Sequence, residues 1–162
     1  MDNFRKDIIG WTSLFMNFAS LAAKRSKDPS TQVGACIVDP RMPKIISTGY
    51  NGFPSKLDEK AFSWSSENDD FYKTKYAVMV HAELNAIILA KQDVSRCFLF
   101  TTLFPCNECA KAIIQAGIKR IYFMSRRDIK DKENEFFTLN LFQKAGVQVK
   151  SFNPKKLILN EN

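Results

Sequence analysis

Phe4, Ile8, Trp11, Phe15, Phe18 and Ala22 recur at alternating steps of four and three. That spacing is one face of an amphipathic helix, predicted over about residues 3 to 25. Asp28-Pro29 stops it, because the residue before a proline is pushed out of the α region. Val33 to Val38 then reads as a buried strand, in which the small Gly34 and Ala35 allow close approach of other groups. The turn formers of residues 39 to 43 lead to a returning strand, Lys44 to Tyr50, giving an antiparallel hairpin. Asn51-Gly52-Phe53-Pro54 breaks it, either as a mere turn or as a turn that presents the Asn51 amide to a ligand.

Residues 55 to 76 have no clean period and mix five acidic with four basic side chains. Phe62, Trp64, Phe71 and Tyr72 are too many aromatics for a linker. A structureless loop of this length is unusual in a compact domain unless it has a function. It is expected to be an insertion that packs on itself or on a neighbouring subunit. Beyond it the pattern becomes regular. A helix is predicted from His81 to about Lys91 with Leu84, Ile87 and Ile88 inward, and a central strand from Cys97 to Thr102. A second helix runs from Cys106 to about Ala116, with Gly117 as its stop. A strand over Arg120 to Ser125 follows, then a helix over Glu133 to Ala145 with Phe136, Phe137, Leu141 and Phe142 inward. The last strand spans Val147 to Phe152, ahead of a tail from Lys155 to Asn162. A helix between the last two strands permits a parallel crossover. The expected fold is a single α/β domain over residues 1–162, a three-layer sandwich with a five-stranded mixed sheet and helices on both faces.

Composition narrows the class without choosing a function. A chain of 162 residues with 45% hydrophobic side chains is sized for one core. It has no apolar run of membrane-spanning length and no signal peptide pattern, so a cytoplasmic protein is expected. Four cysteines, two of them in a metal-like motif, suit a reducing compartment better than a disulfide framework. The net charge is +7, and residues 106 to 162 hold eleven Lys and Arg against six Asp and Glu. Such an excess attracts nucleic acid or nucleotide phosphates, or is merely a solvated face.

The chemistry is concentrated in His81-Ala82-Glu83 and Pro105-Cys106-Asn107-Glu108-Cys109. Cys106 and Cys109 lie three apart, on one face of a helix, and can grip one metal. With His81 they make three ligands of the kind Zn²⁺ takes, leaving a fourth position open for water. Cys106 at a helix N-terminus is favoured as thiolate by the dipole. Two thiolates and a neutral imidazole cancel the dication, so this zinc polarises water less than a three-imidazole site does, and a nearby base is needed. Glu83 fits that role. The pattern H-x-E…P-C-x-x-C is that of zinc deaminases acting on cytosine and adenine. Two blander readings are a redox-active C-x-x-C, and a closed structural zinc completed by Cys36 or Cys97. A carboxylate two residues from a ligand speaks against a purely structural metal.

Four runs carry a closer resemblance: residues 25–35 (Arg-Ser-Lys-Asp-Pro-Ser-Thr-Gln-Val-Gly-Ala), Gly49 to Gly52, His81 to Ala86, and Leu103 to Lys119. In these the chain resembles the deoxycytidylate deaminases, within the cytidine deaminase superfamily, from about residue 11 to 153. The resemblance implies hydrolysis of dCMP to dUMP and ammonia, supplying the precursor of thymidylate. It implies one catalytic Zn²⁺ per chain on His81, Cys106 and Cys109, with Glu83 shuttling protons to N3 and to the leaving amine. It implies that Asn51 binds the sugar hydroxyl, and that backbone around Ala82 and Pro105 frames the base. The loop carrying Lys27, Ser30 and Thr31 is a candidate for phosphate contact. Members of the family are commonly hexamers, activated by dCTP and inhibited by dTTP, and Gly49, Tyr50, Asn51 and Gly52 are similar to the effector stretch.

Two departures matter. Some relatives hold a second zinc with extra His ligands in the insertion, which this chain, with one His in total, cannot copy. Many place a Tyr after the fourth strand, where this chain has Ser125-Arg126-Arg127-Asp128-Ile129. Arg126 and Arg127 are therefore candidate phosphate ligands, since guanidinium grips phosphate bidentately, and they open the alternative that dCTP is also a substrate. A further alternative is a deaminase of nucleic acid, such as tRNA, and another a non-catalytic zinc module.

Overall fold

The structure is a computed structural model, and it describes residues 5–126 and 132–155. Its strands are β1 (Gly34–Asp39), β2 (Lys44–Tyr50), β3 (Phe98–Leu103), β4 (Arg120–Ser125) and β5 (Gln148–Ser151). Its α-helices are α1 (Trp11–Ala23), α2 (Ala82–Ala90), α3 (Asn107–Gln115) and α4 (Lys132–Lys144). The strands form one five-stranded sheet in the order β2-β1-β3-β4-β5. β1 is antiparallel to both neighbours, and β3, β4 and β5 are mutually parallel. The predicted five-stranded mixed sheet is thus the observed one.

The topology dictates which helices share a face. β2 and β3 both run antiparallel to β1, so they are parallel to each other. The connections β2-α2-β3, β3-α3-β4 and β4-α4-β5 all step across the sheet in one direction. Right-handed crossovers that step the same way put their helices on the same side. Accordingly Ala82 and Ala86 of α2, Cys109, Ala110 and Ile113 of α3 and Phe142 of α4 pack with Ala35, Ile37, Leu99, Ile121 and Phe123 of the strands. Among the described residues α1 is the one helix on the opposite side, where Phe15, Met16 and Ala19 meet Cys36, Val38 and Phe100. The strand residues alternate between the two clusters, as the two-residue period of a strand requires. Burying a side chain such as Ile37 or Phe100 stabilises the fold by about 1.5–3 kcal/mol.

Three helix expectations are corrected. α1 begins at Trp11, not near residue 3, because Gly10 is extended (φ −70°, ψ 149°) and takes the N-cap. Glycine inside a helix costs about 1 kcal/mol relative to alanine, which makes Gly10 a natural boundary. The buried face of α1 is Phe15, Met16, Ala19 and Ala23, whereas Ile8, Trp11 and Phe18 are exposed. The reason lies in Gly34: a Cβ there would sit 2.0 Å from the carbonyl oxygen of Ala19. The helix rests backbone-close on β1 through its alanines, and Trp11 and Phe18 are turned aside while Phe15 stays buried. The same device recurs at Gly49, whose Cβ would sit 2.3 Å from the Ala82 carbonyl oxygen. So α2 buries Ala82, Glu83 and Ala86, and Ile88 points outward. On α4 the buried residues are Thr138 and Phe142, one turn apart, and Phe136 and Phe137 are exposed.

The insertion has structure of its own. Gly52 and Val80 form an antiparallel bridge that closes its base. Inside it are three single-turn 3-10 helices, at Glu59–Ala61, Phe71–Lys73 and Lys75–Ala77. Trp64 stacks on Phe53 with ring centroids 4.0 Å apart, and the Lys75 amide donates to the Ser65 carbonyl. The segment therefore packs on itself and on the chain that flanks it.

Candidate metal centre and substrate cleft

His81 and Cys106 each occupy a helix N-cap, with extended backbone (φ −72°, ψ 155° and φ −74°, ψ 171°). Cys109 lies one turn into α3. α2 and α3 are neighbours on one face of the sheet, so their N-termini converge above β1 and β3. There the Nδ1 of His81 lies 3.3 Å from the sulfur of Cys106 and 3.3 Å from that of Cys109. The three ligand atoms are all within 4.8 Å of one another. Tetrahedral zinc with Zn–S near 2.3 Å and Zn–N near 2.0 Å sets a nitrogen and a sulfur about 3.5 Å apart. The donor set and its spacing fit that ion. Among the described residues no fourth His, Cys, Asp or Glu joins the cluster. Cys36 and Cys97 are buried elsewhere as free thiols, Cys36 on the α1 side of the sheet, so neither closes the site.

The electrostatics of the trio suit a metal. The thiol of Cys109 donates toward Cys106 and, with His81 beside it, outweighs burial and pulls Cys106 down to about 3. Cys109 is raised, first by that same hydrogen bond and then by burial. The pair favours one thiolate beside one thiol, and the same close sulfurs are donors that would suit a metal cation. Glu83, on the first turn of α2, is only 4% exposed. Its Oε1 accepts from the Thr101 hydroxyl at 3.3 Å, and its Oε2 lies 3.5 Å from the Cys109 sulfur. Burial is the largest influence on this carboxyl and raises it, which favours a group that has to hold a proton during a reaction.

His81, Ala82 and Glu83 line a cleft together with Thr31, Asn51 and Leu103. Asn51 is buried, with Oδ1 accepting from the Val33 amide at 2.8 Å and Nδ2 donating to the Thr31 carbonyl at 2.9 Å. Asp28 and Lys75 also reach the cleft wall. Sequence reasoning did not single out these two, nor Thr101. Nothing in the pattern distinguishes Lys75 from the other charges of the insertion.

The remaining candidates are distributed as follows. Ser30 is exposed beside Thr31, with its amide held by Asp28. Lys27 is exposed and ion-paired to Glu59 at 2.6 Å. Pro105 is buried immediately ahead of Cys106. Arg126 pairs with Glu135 and lies over the rings of Phe123 and Phe104, 5.0 and 5.6 Å from their centroids. Arg127 lies outside the described residues. Gly49 is pressed against α2, whereas Tyr50 and Gly52 border a second cavity of about 250 Å³ that also meets Arg25, Lys27 and Trp64.

Comparison with known proteins agrees with this geometry. Residues 9–125 match the family model described as the cytidine and deoxycytidylate deaminase zinc-binding region. Deoxycytidylate deaminase of Homo sapiens is 45% identical over 152 residues, covering 93% of this chain and 84% of the human protein. The Mus musculus deoxycytidylate deaminase is 47% identical over the same coverage. Among solved structures, the dCMP deaminase of cyanophage S-TIM5 in complex with dCMP and dUMP superposes with a TM-score of 0.70. It is 27% identical, over 93% of this chain and 100% of the phage protein. The mixed sheet, the His81, Cys106 and Cys109 cluster and these likenesses place the chain in the cytidine and deoxycytidylate deaminase family.

Proposed function

We propose that this protein is a zinc-dependent hydrolase that converts dCMP and water to dUMP and ammonia. The observation that carries the proposal is a buried carboxylate, Glu83, beside a cluster of three potential metal ligands, with Glu83 and His81 on the wall of a cleft. The likeness to deoxycytidylate deaminases supports the choice of nucleotide. His81, Cys106 and Cys109 hold zinc, which when bound supplies a Lewis acid that eases deprotonation of water. Glu83 takes a proton from the attacking water as the C–O bond forms at C4 and passes it to N3. It then takes the second water proton to the amine as the C4–N bond breaks. Asn51 receives the sugar hydroxyl, and the backbone at Ala82 and Pro105 borders the base.

The phosphate is assigned to the turn of Lys27, Ser30 and Thr31, of which Thr31 already lines the cleft. Arg126 joins it only by leaving Glu135, and Arg127 remains a candidate on its sequence position. The cavity beside Tyr50 and Gly52, with Arg25 and Lys27 on its wall, suits a nucleoside triphosphate, and is the proposed place for dCTP or dTTP as effectors. The protein works as a homo-oligomer, a hexamer by family likeness, in the cytoplasm, with residues 1–162 acting as one deaminase domain.

Glu83→Gln tests the mechanism, because the amide keeps the shape and cannot move protons. Zinc content should stay near one per chain, while turnover falls by about 10²–10⁴-fold or more. Ammonia release measured on deoxycytidine, dCMP and dCTP tests the substrate. More than about a tenth of parental activity in the variant would overturn the role given to Glu83.

A further inference from the structure

Lys75 is a buried ammonium, 2% exposed, at the end of a mostly exposed insertion. Its Nζ donates to both oxygens of Asp28, at 2.7 and 2.9 Å, and Asp28 is itself 2% exposed. Removing two opposite charges from water costs about as much as their attraction returns, so an apolar pair would serve stability equally well. Fixing one arrangement among several is the better-attested use of such a pair.

What is fixed here is Asn51. Asp28 accepts the amides of Ser30 and Thr31 on Oδ1, at 2.8 and 3.2 Å, and the Nδ2 of Asn51 on Oδ2, at 3.3 Å. Asn51 therefore directs its amide protons at the Thr31 carbonyl and at Asp28, with the Met79 sulfur a further acceptor 3.3 Å from Nδ2, and spends one Oδ1 lone pair on the Val33 amide. The reverse orientation would set its oxygen against the Asp28 carboxylate and the Thr31 carbonyl, and its NH₂ against the Val33 N–H. One Oδ1 lone pair is left for a ligand, and a lone pair can only accept.

We infer that Lys75 and Asp28 are positioning residues. They hold the Asn51 amide as an obligate acceptor, so the cleft selects a sugar that donates a hydroxyl, and they couple this selection to the insertion. The inference rests on the assignment of Asn51 to the sugar hydroxyl made above. It gives the insertion a task at the substrate, separate from any contact between subunits.

Lys75→Met, Asp28→Asn and the double variant test it, with Tm and the kinetics of dCMP and 2′,3′-dideoxycytidine monophosphate as readouts. Each single change leaves one buried partner uncompensated and should lower Tm, while the double variant should regain most of the loss. If the pair positions Asn51, the double variant with its recovered Tm keeps a KM for dCMP raised at least about tenfold. Its kcat changes by less than about threefold, and its preference for dCMP over the dideoxy analogue drops at least about fivefold. A double variant in which Tm, KM and preference all return to parental values overturns the positioning role and leaves the sugar assignment intact. A parental protein that deaminates both nucleotides equally overturns the sugar assignment, and the inference with it.

Discussion

Cys36 and Cys106 are one side chain in two settings. Cys36 is sealed between α1 and β1, and burial alone pushes its thiol up to about 12. Cys106 caps α3 beside two polar partners that favour the thiolate. Iodoacetamide at neutral pH should therefore modify Cys106 in protein stripped of metal by a chelator, spare it in zinc-loaded protein, and leave Cys36 untouched until the chain unfolds. Peptide mass spectrometry reads each cysteine, and Cys36 labelled as fast as Cys106 would contradict the assignment. Asp28 gives a prediction in pH. Burial raises its carboxyl, but Lys75 and the amides of Ser30 and Thr31 outweigh that and leave it lowered. A lowered folded value means stability present above the unfolded value of about 3.9 and lost as pH falls through the folded one. Thermal melts below about pH 4 should show a shallower acid decline for Asp28→Asn than for the parent, measured from each protein's own plateau. The grouping of His81, Cys106 and Cys109 beside Glu83 was legible in the sequence because metal chemistry restricts both residue type and spacing. Lys75 was not, because a paired buried cation and a solvated one look alike until the partner 47 positions away is in place.

At the scale of elements, strands were easier to read than helix faces. β4 matches its expected span of Arg120 to Ser125, and the other strands fall within about one residue of expectation. Strand identity follows from a two-residue period that a sheet cannot evade. Which face a helix buries depends on how near it approaches the sheet, and here two glycines on the partner strands decide that. Gly49→Ala should be costly in two ways. Its Cβ would lie 2.3 Å from the Ala82 carbonyl and 2.5 Å from the Ala86 nitrogen, both backbone atoms. Overpacking of this kind typically costs about 1–3 kcal/mol, and the helix it displaces carries Glu83. A lowered Tm should accompany loss of activity even in the fraction that remains folded. Gly10→Ala is the control, since nothing lies within 4 Å of a Cβ there. Its Tm and activity should stay near parental.

On the scale of the whole molecule, the outer surface of the insertion carries Phe71 and Tyr72, 57% and 82% exposed. This is the face assigned to the proposed homo-oligomer, because contiguous apolar surface favours contact with a partner. Phe71→Ser with Tyr72→Ser should shift the mass measured by light scattering at micromolar concentration toward the monomer, while leaving the internal stack of Trp64 on Phe53 in place. An unchanged assembly would move the interface elsewhere. The order of the strands also bears on how the protein is made. His81 and Glu83 are translated before Cys106 and Cys109, and β1 does not gain its second neighbour until β3 has followed. A nascent chain that ends before β3 presents only one of the three cluster residues and an unpaired edge on β1, so it lacks the sulfur donors of the proposed zinc site and is open to edge-to-edge association. On the proposed zinc site, a polypeptide has to be extended through α3 before it carries the full set of three ligands.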